Sequence, residues 1–213
     1  MPAINFAHLF IAFLVLLFSL TVHESAHALA ASRLGDPTAR RLGRVSLNPL
    51  VHLDPVGSVL FPALAAIARM PVIGWAKPVP IDVRRFARPR RDAMLVAAAG
   101  PGSNLALAVA SAVTLRSLSL VPPGAGEVDI VGPLALLAAS GVEINLLLAV
   151  FNLLPVPPLD GGTVLAGLLP AHAALRMDGL RPYGFYIIYA LMLTGALGYL
   201  VGPPYYLLLS WLR

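Results

Sequence analysis

The stretch SLTVHESAHALAASR, residues 19–33, places two histidines and a glutamate at the end of a strongly apolar segment. His23, Glu24 and His27 form an H-E-x-x-H pattern. On a helix, residues i and i+4 lie on one face, so the two imidazoles can converge on one ion while Glu24 reaches a water beside it. The pattern predicts a zinc site, but it supplies only two protein ligands, and a catalytic zinc site typically has three.

The composition assigns the chain to the membrane. Of its 213 residues, 58% are hydrophobic and only 12% are charged, whereas charged residues make up about 25% of soluble domains. The length indicates a single domain, and a chain this short has too little interior to bury so much apolar surface. The absence of cysteine excludes disulfide frameworks and thiolate metal sites.

Apolar stretches long enough to cross a bilayer predict the fold class. A crossing helix needs about 20 residues, and we expect an all-α polytopic membrane protein with a bundle of about four to six transmembrane helices. A re-entrant or extended membrane-associated segment is expected between the first two core spans. The predicted core spans are 4–31, 93–115 and 133–154, and the short stretch is 56–68. C-terminal helices are predicted at 183–200 and 203–213, with the break after Val201, where the sequence GPP begins.

Basic residues indicate how the chain is oriented. Of the 15 Lys and Arg, 11 lie between Arg33 and Arg91, and loops rich in Lys and Arg mark the cytoplasmic side. A full crossing by 56–68 would put the basic segments 33–44 and 77–91 on opposite faces. A re-entrant course keeps both cytoplasmic, and we prefer it. Such loops favour anionic lipid headgroups, whereas no aromatic-interleaved basic strip indicates nucleic-acid binding.

A third zinc ligand must come from elsewhere in the spans, where the candidates are His8, Glu143 and Asp160. His8 lies about 22 Å from the histidine pair along the same helix and cannot share the ion. Glu143 falls at mid-depth, where we interpret it as structural or interfacial. Asp160 follows the Pro-Val-Pro-Pro run at 155–158 and precedes two glycines. Such irregular backbone at membrane depth is tolerated only around a cavity, so Asp160 is the predicted third ligand.

HESAH at 23–27 and NLLPVPPLDGG at 152–162 together resemble the site-2 protease family of intramembrane zinc metalloproteases, whose pattern is H-E-x-x-H followed by N-x-x-P-x-x-x-L-D-G. A further family feature, G-x-x-x-N, is present at 100–104. GWAKPVP at 74–80 is similar to the membrane-associated segment that compact members place beside the active site. The resemblance implies a core-only member without a PDZ or CBS domain, with 1–213 as a single membrane-embedded metalloprotease domain.

The resemblance also implies an activity and its partners. The expected enzyme is a zinc metalloendopeptidase with one Zn²⁺ per chain, which hydrolyses a peptide bond in or near a transmembrane segment of a membrane-tethered substrate. This activity serves regulated intramembrane proteolysis. The expected partners are a transmembrane protein substrate and the lipid bilayer, without nucleic acid, and a regulatory partner or homodimer stays open. The expected location is the plasma membrane, with the active site opening toward the cytoplasm.

Each motif residue has an expected role. His23, His27 and Asp160 hold zinc, and Glu24 is the general base that later returns the proton to the leaving amine. The expected substrate-binding residues are Gly74, Trp75, Lys77, Asn104 and Asn152.

Several of these substrate-binding roles have alternatives. The region 74–83 is expected to supply an edge for an extended substrate, with an ordinary surface loop as the alternative. Asn152 would hold the substrate backbone or form a helix-to-helix hydrogen bond. Asn104 would also be placed to orient a zinc-ligand histidine or to join helices.

Three other functions are alternatives to this one. A non-catalytic membrane scaffold that captures transmembrane segments is the main alternative, but such relatives usually lose Glu or a ligand, and all four residues are present. A multi-pass metalloprotease with a glutamate as third ligand lacks a suitable E-x-x-x-D/E helix here. A metal transporter would need more polar residues in the other spans.

Overall fold

The computed structural model of the chain describes residues 6–60, 64, 67, 76–121 and 130–212. Within these residues the regular structure is helical and no β-strand is present, which confirms the all-α prediction. The α-helices, in chain order, are α1 (Phe6–Arg33), α2 (Thr38–Arg41), α3 (Pro89–Leu118), α4 (Val131–Asn152), α5 (Asp160–Leu168), α6 (Ala171–Asp178), α7 (Gly184–Leu193) and α8 (Ala196–Leu212). Short 3₁₀ turns occupy Pro49–Val51, Val83–Arg85 and Arg181–Tyr183, and a π-helical turn occupies Pro55–Leu60.

Three of these helices are long and apolar enough to cross a membrane, namely α1, α3 and α4. They correspond to the three predicted core spans. A fourth span results if the segments 171–193 and 196–212, which meet at a bend of 83°, are counted as one. The described residues thus give three or four spans, at or just below the lower end of the predicted range.

Helix boundaries differ from the predictions where caps and prolines decide them. α3 begins at Pro89, four positions before the predicted start, since proline suits the first helical turn and the Asp92 carboxylate accepts the Arg88 N–H at 2.8 Å. α4 ends at Asn152, ahead of Pro155, because proline disfavours helical backbone in the residue before it.

The core spans pack through small side chains. α3 contacts both α1 and α4, and α8 packs against α4. Ala108 and Ala112 of α3 are buried with Val142 and Leu146 of α4. Because lipid is as apolar as leucine, close packing of this kind holds membrane helices together. The outward face of α1 instead exposes large apolar side chains, among them Phe6, Phe10 and Phe13.

Contacts between the spans establish their relative directions. His27 of α1 hydrogen-bonds Val96 of α3, while His23 bonds Asn104 further along α3. The residue number rises along one helix as it falls along the other, so α1 and α3 are antiparallel. The connection 34–88 therefore begins and ends on one side of the bundle. A single crossing by 56–68 would not allow this, which favours the re-entrant interpretation, although 61–63, 65–66 and 68 lie outside the described residues.

The C-terminal break lies elsewhere than predicted. The sequence GPP was expected to end a helix after Val201, but α8 continues through Pro203 and Pro204. Proline is tolerated in apolar helices where neighbouring groups satisfy the freed carbonyls. The chain bends instead at Thr194–Gly195, where Gly195 has φ +76°, a left-handed backbone that glycine adopts without strain. The prediction of helices at 183–200 and 203–213 was therefore wrong in its dividing point.

A buried carboxylate anchors the loop between α1 and α3. Asp36 is fully buried, and its oxygens accept the Thr38 N–H at 3.0 Å, the Thr38 hydroxyl and the Asp82 N–H at 2.7 Å. Burial alone would raise the pKa of Asp36. The hydrogen bonds from Thr38 and Asp82, together with the charge of Arg85, outweigh burial and hold this pKa below 3.8.

We expect Asp36→Asn to destabilise the folded protein by about 1–3 kcal/mol, because one buried N–H would then face the amide NH₂ instead of an acceptor. Since the folded pKa is lowered, the stabilisation is present above pH 3.8 and is lost as the pH falls through the folded value. Thermal unfolding in detergent from pH 7 to pH 3 measures both effects. Asp178→Asn, in an exposed pair with Arg181, is the control and should change stability by less than about 1 kcal/mol. An Asp36→Asn protein as stable as wild type at pH 7 would contradict this account.

Candidate metal centre

Three potential metal ligands meet inside the helix bundle. His23 and His27 project from α1, and Asp160 is the first residue of α5. The Nε2 atoms of the two histidines lie 3.1 Å apart, and Asp160 Oδ2 lies 3.1 Å from His23 Nε2 and 3.3 Å from His27 Nε2. Both histidines are buried. Among the described residues, this is the group of His, Cys, Asp or Glu side chains arranged to hold an ion.

The hydrogen bonds of the imidazoles show which ring atoms face the centre of the group. His27 Nδ1 lies 2.7 Å from the Val96 carbonyl, which can only accept, so Nδ1 carries the proton. His23 Nδ1 lies 2.6 Å from Asn104 Oδ1 and donates to it likewise. In the neutral rings both Nε2 atoms are then bare acceptors. They face a carboxylate oxygen, Asp160 Oδ2, that is itself buried without a hydrogen-bond donor.

This arrangement fits a zinc ion. Three acceptors within 3.3 Å of one another repel unless a cation lies between them. Zn–N and Zn–O bonds of about 2.0–2.1 Å at tetrahedral angles separate neighbouring ligand atoms by about 3.3 Å. Two imidazoles and one carboxylate also leave a fourth position open, as catalytic zinc sites do.

Two glycines make this convergence sterically feasible. A Cβ atom at Gly100 of α3 would lie 2.6 Å from His23 Cε1 and would also overlap the His27 ring. A Cβ atom at Gly161 would overlap the backbone of Leu153, so a glycine after Asp160 lets the start of α5 lie against the end of α4. The G-x-x-x-N and L-D-G-G patterns thus serve close approach as well as chemistry.

Glu24 is placed next to the ligand group. It is half-buried on α1, one residue after His23. Its charge interacts with His27, His23 and Asp160, and more weakly with His52. A carboxylate next to a metal site can accept and return a proton.

The structure places the expected substrate-binding residues in different environments. Asn104 is fully buried behind His23, which favours the orienting interpretation of its role. Asn152 is half-buried at the end of α4, and its amide donates to the Leu148 carbonyl at 3.0 Å. Lys77 is exposed, and its N–H donates to the His52 carbonyl at 2.8 Å. Gly74 and Trp75 lie outside the described residues.

One polar residue near the site was not singled out from the sequence. Asn145 of α4 is buried, and its Oδ1 accepts a hydrogen bond from Asn104 at 2.9 Å. The available signal was its position, since an amide within an apolar span is seldom without a partner.

Comparisons with known proteins indicate the family of the chain. The family model described as Peptidase family M50 matches residues 125–195. The candidate zinc metalloprotease YwhC of Bacillus subtilis is 35% identical over 198 residues, which cover 89% of this chain and 83% of YwhC. The chain belongs to peptidase family M50. It is therefore a zinc metalloprotease of the membrane, and the resemblance to the site-2 proteases is confirmed.

Other members of this family are also similar to the chain. The candidate zinc metalloprotease Rip2 of Mycolicibacterium smegmatis is 30% identical over 185 residues, which cover 85% of this chain and 66% of Rip2. Rip3 of Mycobacterium tuberculosis H37Rv, named in the same way, is 32% identical over 155 residues, or 73% of this chain and 30% of Rip3. No solved structure matches the chain.

We expect Gly100→Ala to weaken zinc binding at least tenfold, because the added methyl group would displace both imidazoles from the ligand positions seen here. Gly102→Ala is a matched control on the same helix, since a Cβ atom there meets nothing within 4 Å. Competition for zinc against a chelator measures both variants. If Gly100→Ala binds zinc as tightly as Gly102→Ala, the close approach of α3 to the histidines is not needed for the site.

Proposed function

We propose that the chain is an intramembrane endopeptidase that hydrolyses a peptide bond in or near a transmembrane segment of a membrane-tethered substrate. The position of the ligand group within the bundle carries this proposal. His23 lies roughly 15 Å before the C-terminal end of α1, in a helix whose outer face is exposed and apolar. A substrate that already lies in the membrane reaches such a site laterally, whereas a soluble protein would have to enter the bundle.

The proposed chemistry assigns one role to each side chain. His23, His27 and Asp160 would hold the zinc ion. When bound, zinc supplies Lewis-acid chemistry, which polarises the scissile carbonyl and makes water nucleophilic at neutral pH. Glu24 accepts the proton of the attacking water on a carboxylate oxygen. As the C–N bond breaks, Glu24 returns that proton to the leaving amine, so the peptide gains one water and Glu24 is regenerated.

A transmembrane substrate must unwind before it can be cut, because a helix hides its carbonyls in hydrogen bonds. We propose that the segment 74–83 offers backbone groups to the unwound strand. Residues 76–80 form neither helix nor strand, and the Lys77 N–H is already bonded to His52. Pro78 and Pro80 carry no N–H, so carbonyl oxygens predominate on this segment and would accept from substrate N–H groups. Asn152, at the end of α4, would hold the substrate backbone from the other side.

The decisive experiment is cleavage of a panel of single-span membrane proteins by the purified protein in detergent, with zinc content measured for each variant. We expect Glu24→Gln to retain one zinc and to lose at least 10²-fold in cleavage rate, because the general base is absent. Asp160→Ala should lose both zinc and cleavage.

The matched control for this experiment is Glu143→Gln, which changes a second glutamate in an apolar span. Glu143 is exposed on α4, and its variant should cut at the wild-type rate. Zinc binding by wild type without cleavage of any membrane substrate would favour the scaffold alternative. Cleavage by Glu24→Gln would remove Glu24 from the mechanism.

We also propose that the protein lies in the plasma membrane as one domain, 1–213, with its site toward the cytoplasm. The two histidines lie in the C-terminal half of α1 and contact the N-terminal half of α3 at Val96 and Gly100. Of the 15 Lys and Arg, 11 fall between Arg33 and Arg91, from the end of α1 to the first turn of α3. Basic residues beside a span are retained on the cytoplasmic side.

Single-cysteine labelling tests this orientation, and the chain has no cysteine of its own. Leu42 follows α2 and Leu120 follows α3, and their side chains are both exposed. In intact bacterial cells, an impermeant maleimide should label Leu120→Cys and should label Leu42→Cys only after lysis. The reverse pattern would place the site on the outer face.

A further inference from the structure

A line of hydrogen-bonded side chains crosses the bundle behind the ligand group. His23 of α1 contacts Asn104 of α3 at 2.6 Å, and Asn104 contacts Asn145 of α4 at 2.9 Å. Asn145 in turn donates to the Gly141 carbonyl of its own helix at 2.9 Å. His23, Asn104 and Asn145 are 4%, 0% and 2% exposed, so these side chains are shielded from bulk solvent.

The direction of every hydrogen bond in the line follows from its far end. A carbonyl can only accept, so the Gly141 oxygen requires the Asn145 amide nitrogen. Asn145 then presents Oδ1 to Asn104. Because this oxygen can only accept a hydrogen bond, Asn104 must donate to it from its amide nitrogen. The same nitrogen of Asn104 lies 3.5 Å from the Ser19 carbonyl, a second acceptor. Asn104 is left with Oδ1 toward His23.

The hydrogen bond between Asn104 and His23 determines which nitrogen of the His23 ring carries the proton. Because Asn104 presents an acceptor, His23 must carry its proton on Nδ1 and keep Nε2 bare. His27 reaches the same state in one step, since its Nδ1 donates directly to the Val96 carbonyl. Backbone carbonyls thus set the tautomer of both histidines. The Val96 carbonyl acts on His27 directly, and the Gly141 carbonyl acts on His23 through the amides of Asn145 and Asn104.

We propose that Asn145 is a positioning residue for the metal site, which fixes the tautomer and orientation of His23 through Asn104. This inference rests on the proposed metal site. If Asn145 loses its Oδ1, only the Ser19 carbonyl, 3.5 Å from the Asn104 nitrogen, still opposes a 180° rotation of the Asn104 amide that presents its nitrogen to His23. His23 then protonates Nε2 instead of Nδ1, and the ring loses the lone pair that faces Asp160.

Zinc affinity in a double-mutant cycle tests the proposal, with no need for a substrate. Asn145→Leu and Asn145→Ser both remove the acceptor, and the smaller serine variant decides the question if the leucine variant does not fold. We expect each to weaken zinc binding by about 10- to 100-fold, the usual effect of losing a partner behind a ligand. The double variant Asn104→Leu/Asn145→Leu should bind zinc no more weakly than Asn104→Leu alone, because Asn145 acts only through Asn104.

The matched control is Thr114→Val, which removes an exposed hydroxyl that donates to the Ala110 carbonyl one turn earlier on α3 at 2.9 Å and which belongs to neither the proposed metal site nor the proposed substrate site. It should keep wild-type zinc affinity. Nitrogen NMR of the metal-free protein gives a second readout, since it separates protonated from bare ring nitrogens. In wild type, His23 should be protonated on Nδ1, and in Asn145→Ser a population protonated on Nε2 should emerge.

Each outcome has a definite meaning. Wild-type zinc affinity in both Asn145 variants, or losses that add in the double variant, would overturn the proposal and leave the metal site intact. Failure of wild type to bind zinc would overturn the metal site and this inference together. Zinc binding with the expected cycle but no proteolysis would overturn the proposed substrate class alone.

Discussion

The structure depends on one constraint: three hydrogen-bond acceptors lie in contact with no proton between them. His23 Nε2, His27 Nε2 and Asp160 Oδ2 lie within 3.3 Å of one another, and their mutual repulsion has to be opposed by the packing of α1, α3 and α5. A cation at their centre would convert that repulsion into coordination. Metal binding would then be linked to the docking of α5, since a site absent from the unfolded chain adds its binding free energy to folding.

The buried polar side chains fall into two layers. One layer lies within the spans and comprises Ser19, Thr21, His23, His27, Asn104 and Asn145. The other lies where the chain leaves the bundle and comprises Asp36, Arg44, His52 and Asp92. The second layer shapes the loop between α1 and α3 and the start of α3. His52 Nε2 lies 3.0 Å from the Ser46 carbonyl, Arg44 donates to the Val51 carbonyl, and Asp92 accepts the Arg88 N–H. Polar groups are costly in an apolar bundle unless paired. The hydrogen bonds of Asn104 and Asn145 support His23, whereas those of Asp36, Arg44 and His52 hold the loop that joins α1 to α3.

Local sequence patterns point to the three side chains that the structure brings together, but not to the residues behind them. H-E-x-x-H places two histidines on one helical face, and the proline-rich run before Asp160 indicates where a third candidate ligand leaves the helix. The sequence does not indicate the role of Asn145, because its partner Asn104 is distant in sequence. The contact between the two depends on how α3 and α4 pack. The break at Gly195 was misplaced for a related reason: Pro203 and Pro204 are strong local signals, and only tertiary context shows that α8 continues through them.

The short helix α5 shows how so small a bundle keeps its site in place. At its first residue, Asp160 belongs to the ligand group. Near its last residue, the Ala166 carbonyl accepts two hydrogen bonds from the Arg90 guanidinium, at 3.0 and 2.8 Å. Arg90 belongs to the first turn of α3, the same helix whose Gly100 lies against both imidazoles. The helix α3 thus contacts both histidines and also α5, the helix that carries Asp160. A displacement of α3 would therefore move all three candidate ligands at once.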